Sequence, residues 1–315
     1  MTTHPIGIVF ERAMEEQPEL TYFATAPNPG WEDTYGPDRV VRMPIAENAM
    51  MGVGVGMAMT GRRTIVDLAR AAFLFVAMDP LVNQAAAWRY LSDGQYSVPL
   101  LVIAITRWGE NSGPQHEHTP HALLSQVPGL VVAVPSSPNA AAGLMATALA
   151  YPDPVVLLET SRIFFPGWDQ APQIEPSYEP IPFGVATCAR EGFDISLVGI
   201  GNTVIDCLEA AERLGERGIS AEVIDLRTAA PLDRGGVARM VSSTGAAVLV
   251  DETIGPCSLV RDLGFHLASV GAVDPDRIRV VERAGCQVPA SPRLQEIVLP
   301  QPADIVSAAE ELVGG

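Results

Sequence analysis

Lysine is missing from this sequence: all 20 basic residues are arginine. No side chain can therefore form a Schiff base with a carbonyl substrate or with pyridoxal phosphate, and no Walker-type lysine can grip a phosphate. Cysteine is sparse. Cys188, Cys207, Cys257 and Cys286 are far apart and form no CxxC pair, so they read as reduced thiols with no disulfide or zinc framework. Positive charge is outnumbered by 37 acidic residues, and the net charge of −17 disfavours nucleic acid and anionic membranes as partners. Long apolar runs are also lacking. The Gly-rich stretch Asn48–Thr60 falls well short of the roughly 20 apolar residues that span a bilayer. The opening Met-Thr-Thr-His-Pro has no basic region followed by an apolar run, so the expected location is cytoplasmic. No GxGxxG, GxSxG or HExxH motif occurs.

What is present is a well-packed α/β pattern, 48% hydrophobic and 18% charged, over 315 residues. Strand-like and helix-like segments alternate, as in parallel sheets covered by helices. The sequence predicts a helix at Ile6–Glu16 and strands at Leu20–Ala26, Arg39–Met43 and Arg63–Leu68. A small-residue helix is expected at Glu47–Thr60, and another helix running to Tyr90. Val98–Thr106 is a nearly continuous apolar run suited to a central parallel strand, and a polar Gly/Pro-rich loop, Arg107–Pro120, comes after it. Loops after central strands are where α/β sheets place their sites. Further elements are expected at His121–Gln126, Leu130–Pro135, Asn139–Ala150 and Pro154–Thr160. Repeated proline after Phe165 favours an extended connection. The expected organisation is therefore an α/β domain over 1–165, a Pro-rich linker over 166–182 and a second α/β domain over 183–315. In the second domain, strands are predicted at Ile195–Gly199, Ala221–Asp225, Ala246–Asp251 and Arg277–Val281, with helices at Thr203–Arg217 and Val306–Leu312.

Two polar features stand out. His116, His118 and His121 crowd the loop after the apolar strand. Three imidazoles admit a metal reading, but with no evident fourth ligand an acid–base role for one of them is the stronger one. Glu47 sits between Pro44-Ile45-Ala46 and a helix of Gly, Ala and Met. As a first-turn acid it would favour the helix dipole, an effect worth about 0.3–1 kcal/mol. The glycines Gly52, Gly54 and Gly56 read as packing glycines.

The run Met43–Gly61 resembles the β subunit of the decarboxylase component of thiamine-diphosphate-dependent 2-oxo-acid dehydrogenases, the pyruvate, branched-chain and acetoin family. The likeness continues through Asp79–Gly94, Gln115-His116, Pro128–Pro135, Asp153–Glu159, Gly218–Asp233 and Val250–Glu252, in order along nearly the whole chain. It implies two transketolase-like domains: a pyrimidine-binding domain and a transketolase C-terminal-like domain. Glu47 matches the glutamate that bonds the cofactor's pyrimidine nitrogen and favours its imino tautomer, which removes the thiazolium proton. Phe73 matches the aromatic that stacks on the pyrimidine, Ile45 an apolar contact beside the glutamate, and His116 the histidine that handles the intermediate. His118 and His121 have no such match.

The GDG signature that holds diphosphate and Mg2+ through oxygen ligands is absent. The resemblance thus implies an α-type partner supplying that half of the site, an α2β2 heterotetramer, and a lipoyl acyltransferase as a further partner. The chain departs from the family at His116-Glu117-His118-Thr119, where His-Ser-Gln-Ser is usual. It also departs at Arg107–Pro114, Asn28–Trp31, Thr253–Cys257 and Cys286–Pro292. These departures bear on the substrate and on acyltransferase docking. They leave open a split transketolase-like or acyloin-forming carboligase, and a non-catalytic paralogue that keeps the fold.

Overall fold

The computed structural model describes residues 5–106, 109–164 and 179–314. Twelve strands occur among them: β1 Thr21–Ala24, β2 Val40–Arg42, β3 Thr64–Arg70, β4 Leu100–Thr106, β5 Val131–Ala133, β6 Val155–Thr160, β7 Thr187–Arg190, β8 Ile195–Gly199, β9 Ala221–Asp225, β10 Thr228–Ala230, β11 Ala247–Ile254 and β12 Ile278–Arg283. They form a seven-stranded sheet in the order β10-β5-β6-β4-β3-β1-β2 and a five-stranded sheet in the order β12-β11-β8-β9-β7. All pairings are parallel except at one edge of each sheet, where β10 joins β5 and β7 joins β9 antiparallel.

The apolar run of β4 is explained by its central place. Leu101 and Ile103 point into one cluster with helices Pro5–Glu16 and Pro138–Ala150, while Leu100, Val102 and Ala104 point into the opposite cluster with helix Glu47–Met59. Side chains alternate across a strand, so a strand covered on both faces needs apolar residues at every position. Each fully buried Leu or Val contributes about 1.5–3 kcal/mol. The Glu47 face of the first sheet shares its core with Val198, Ile224 and Leu249 of the second sheet and with Val260 of helix Leu259–Ser269. The far face of the second sheet is covered by Asn202–Gly215 and Pro302–Val313.

The structure differs from the sequence reading in places. The helix expected to run to Tyr90 is broken into a 3-10 turn, Ala71–Phe75, a π-helical stretch, Asp79–Ala86, and a short α-helix, Ala87–Leu91. Pro80, which has no N–H to donate, stands at the start of the π-helical stretch. Elements not foreseen include β7, β10 and helices Pro29–Tyr35, Arg234–Val241, Leu259–Ser269 and Pro292–Val298. Of the expected Pro-rich linker, residues 166–178 lie outside the described residues. Its end lies across helix Pro138–Ala150, where Ile181 N–H donates to Gly143 O at 3.1 Å. A Cβ at Gly143 would come within 2.6 Å of Glu179 O, so the crossing requires glycine.

Among the described residues, one of the three helix glycines packs tightly: a Cβ at Gly54 would overlap Val66 Cγ2, whereas a Cβ at Gly52 or Gly56 would meet no described atom within 4 Å. With Asn48, Ala49 and Val53 they form an exposed, uncharged face.

Candidate active site

Strands β2, β3 and β4 run parallel, so the segments leaving their C-terminal ends gather at one edge of the sheet, the usual place for a site in such folds. Those segments carry Glu47, Phe73 and His116.

Glu47 opens helix Glu47–Met59, with the first turn closed by Met50 N–H on Ala46 O at 2.9 Å. Its residue is only 9% exposed, yet its carboxylate has no hydrogen-bond partner among the described residues. Ile45, two residues earlier, is 84% exposed in the isolated chain.

Phe73 is delivered by a β-bulge. The β3–β4 register shifts between Asp67 and Arg70, and Ala69 takes a left-handed φ of 61°. Bulges of this kind bend a strand and re-aim the chain leaving it. The bulge is pinned by Asp67, which accepts from Ala69 N–H at 2.7 Å and from the Tyr22 hydroxyl at 2.6 Å. Burial raises the Asp67 pKa against the opposing pull of these bonds. It pushes Glu159 well above the ordinary glutamate range, with the Asp67 charge adding to the effect.

The half-buried Phe73 meets His116 edge to face, ring centroids 5.7 Å apart. The imidazole of His116 has no hydrogen-bond partner among the described residues. The structure thus brings two of the four sequence-selected residues into contact and places Glu47 at the same sheet edge.

The three histidines diverge. His118 packs edge-on to Phe75 at 5.4 Å, and burial, then the Arg283 charge, lower its pKa. His121 is fully buried, with Nε2 2.9 Å from Asp251 Oδ1. Among the described residues, no group of three or more His, Cys, Asp or Glu side chains is arranged to hold a metal.

Sequence reasoning missed the polar network where the two sheets meet. Asp251 accepts from Thr253 N–H and the Thr253 hydroxyl at 3.0 and 2.8 Å. Beside it, Glu252 accepts from Asn202 Nδ2 at 3.2 Å, and the same amide reaches Thr106 Oγ1 at the end of β4. Burial disfavours the His121 imidazolium, but the adjacent Asp251 and Glu252 charges outweigh it, and the His121 pKa is raised. Asp251 is lowered: burial works upward, and the His121 charge and the bonds from His121 and Thr253 overcome it. Glu252 is pushed up to about 7 by burial, opposed by His121 and reinforced by Asp251. The only sequence signal was a pair of adjacent acids at the end of an apolar strand.

Comparison with known proteins agrees with this architecture. Residues 8–164 match the transketolase pyrimidine binding domain and residues 184–305 the transketolase C-terminal domain. The β subunit of acetoin:2,6-dichlorophenolindophenol oxidoreductase from Bacillus subtilis is 34% identical, over 90% of this chain and 82% of its own. The 2-oxoisovalerate dehydrogenase β subunit of the same organism is 33% identical, over 90% and 86%. The mitochondrial pyruvate dehydrogenase E1 component β subunit of Pisum sativum is 35% identical, over 89% and 79%. Among solved structures, a split-gene transketolase described as an inactive β4 tetramer superposes with a TM-score of 0.77 at 21% identity, covering 99% of this chain and 97% of that one. Matched along nearly its whole length, the chain belongs to the family of β subunits of 2-oxo-acid dehydrogenase E1 components, which share their two-domain fold with transketolase.

Proposed function

We propose that this chain is the β-type subunit of a heteromeric thiamine-diphosphate enzyme that decarboxylates a 2-oxo acid and transfers the resulting acyl or aldehyde unit. The observation that carries the reading is Glu47, a largely buried residue whose carboxylate has no hydrogen-bond partner among the described residues, at the sheet edge that also presents Phe73 and His116. This donor set fits the aminopyrimidine half of the cofactor: an acid for a ring nitrogen, an aromatic face for the ring and an imidazole for the substrate side. When bound, thiamine diphosphate supplies the electron sink for loss of CO2.

The chain's own residues do the rest. Glu47 is placed to share a proton with the pyrimidine nitrogen. Phe73 supports the ring. His116, without a hydrogen-bond partner among the described residues, gives and takes protons at the substrate. Ile45 is proposed to complete the apolar wall once a second chain covers it. With no GDG signature in this sequence, the Mg2+ and diphosphate are assigned to an α-type partner. The assembly is proposed to be α2β2, with a lipoyl acyltransferase as acyl acceptor. Helix Glu47–Met59, whose exposed face carries no charge, is suited to close packing in that assembly. The two-domain organisation 1–165 and 183–315 is retained as part of this proposal, as is a cytoplasmic location; no helix among the described residues is long and apolar enough to cross a membrane.

The test is Glu47→Gln in the complex reconstituted with the α-type chain. It keeps the side-chain volume and removes the shared proton. Hydrogen–deuterium exchange at the thiazolium carbon is expected to slow at least about 10²-fold, the scale of a lost acid–base contribution, with an unchanged melting curve. Wild-type exchange in a well-folded variant would reduce Glu47 to a helix-capping acid. Turnover by the isolated chain with cofactor and Mg2+ would overturn the two-subunit reading.

A further inference from the structure

His116 is held by little of its own. Its ring touches Phe73, its imidazole has no hydrogen-bond partner among the described residues, and its backbone N–H closes a turn onto Gly113 O at 3.1 Å. The next residue is held far more firmly. Glu117 is 3% exposed, and its Oε1 accepts the backbone N–H groups of Ser112 and Gly113, closing the loop on itself. From the other half of the chain, Gln295 of helix Pro292–Val298, also 3% exposed, donates its Nε2 to both Glu117 oxygens at 3.1 and 3.0 Å, and to Pro289 O at 2.7 Å. Gly113, in the left-handed region at φ 82°, lies against Ala290, where an added Cβ would sit 3.6 Å from the alanine Cβ. The far end of the loop is fastened as well, by His121 on Asp251.

Two buried polar contacts, 178 and 130 residues apart in sequence, thus bind one short loop to the second half of the chain. Neither contact involves His116, yet both fix the backbone that carries it. The carboxylate at the centre of the loop is held from both sides: an apolar residue there would leave the Ser112 and Gly113 N–H groups and the Gln295 amide without this acceptor.

We propose that Glu117 and Gln295 are positioning residues for His116, a carboxylate–carboxamide clamp by which the C-terminal half sets the imidazole at the distance its proton transfers require. The inference rests on the reading of His116 as the acid–base group. Misplacement by about 1 Å costs on the order of 10²-fold in rate, so a released clamp shows in kcat more than in cofactor affinity.

The experiment compares Gln295→Met and Glu117→Gln in the reconstituted complex, each alone and combined with His116→Ala. Gln295→Met keeps the length and removes all three donated bonds, two to Glu117 and one to Pro289 O. Glu117→Gln keeps an acceptor for the loop N–H groups and sets amide against amide. Each single variant is expected to lower kcat about 10–100-fold, with thiamine-diphosphate affinity within twofold of wild type. In the His116→Ala background neither is expected to lower kcat further, because groups acting through one residue are not additive. A full further loss in that background would make the pair merely structural and overturn the proposal. So would wild-type kcat in both single variants while His116→Ala is crippled. A near-normal His116→Ala would instead fault the functional reading itself. Should Gln295→Met fail to fold, Glu117→Gln decides by the same criterion.

Discussion

Two positions after β4 carry the same side chain for opposite purposes. His116 is half-buried, touches an aromatic edge and keeps both ring nitrogens free of partners among the described residues, whereas His121 is fully buried and bound to Asp251. Five positions separate a group available for chemistry from a group committed to structure. The difference lies in what the fold brings opposite each: the open sheet edge for His116, the end of β11 for His121.

Exchanging each histidine for alanine separates the two roles. His116→Ala is expected to lower turnover of the reconstituted complex by about 10²–10⁴-fold, with its melting temperature unchanged. Steady-state kinetics beside a thermal melt checks both halves of that statement. His121→Ala should do the reverse to the isolated chain. It strands the buried Asp251 carboxylate, for which removal of one partner costs about 3–5 kcal/mol. The lower end is expected, since Thr253 still donates to Asp251. Urea unfolding measures it, and a loss below about 1 kcal/mol would dissolve the contrast.

The same contrast has a pH signature. The raised pKa of His121 contributes stability that is whole below its unfolded value, about 6.5, and is lost as pH climbs through the folded one. Glu252, raised from 4.5 to about 7, keeps its proton in the fold after the unfolded chain has released it, so stability also falls as pH rises across that interval. The lowered Asp251 adds stability above its unfolded value that disappears only in stronger acid. The melting temperature of the isolated chain is therefore expected to decline from pH 5.5 to 8.5. Glu252→Gln should flatten the lower part of that decline and His121→Ala the upper part. A melting temperature that rises over this range would contradict the assignment.

The smallest effect is expected at the histidine in the middle. His118→Ala removes an edge contact with Phe75. It should leave turnover near wild type and stability within about 0.5 kcal/mol. If His118→Ala were crippled and His116→Ala normal, the placement of the acid–base group in this loop would be off by two residues.

Much of the architecture was readable in the sequence because it is encoded locally. The unbroken apolar run of β4 announced a strand covered on both faces, and Glu47 stood out as an acid among small apolar residues. Helix Leu259–Ser269 was not foreseen although its signal is local, since Leu259, Val260, Leu263 and Leu267 recur at helical spacing and are buried as a stripe. Other features have no local trace. β10 is three residues, Thr-Ala-Ala, whose strand character comes from the exposed edge of β5. The three glycines of helix Glu47–Met59 look equivalent in sequence, and only the direction of each Cα–Cβ vector decides that Gly54 meets Val66. The Glu117–Gln295 and His121–Asp251 contacts join residues more than a hundred positions apart. The role of Glu47 came from resemblance, because a first-turn acid is equally well explained by the helix dipole.

Strand β10 has a consequence for how this chain can be cut. It lies after the Pro-rich segment in sequence, yet it hydrogen-bonds the outer side of β5 in the first sheet, pairing Thr228 with Ala133 and Ala230 with Val132. A fragment ending near residue 164 would leave the backbone of Val131–Ala133 as an unprotected apolar edge, the kind that recruits strands from other molecules. The seam visible in the sequence is therefore crossed by this strand. Expressed separately, the first piece should aggregate, and co-production of the second, which supplies β10, should rescue it.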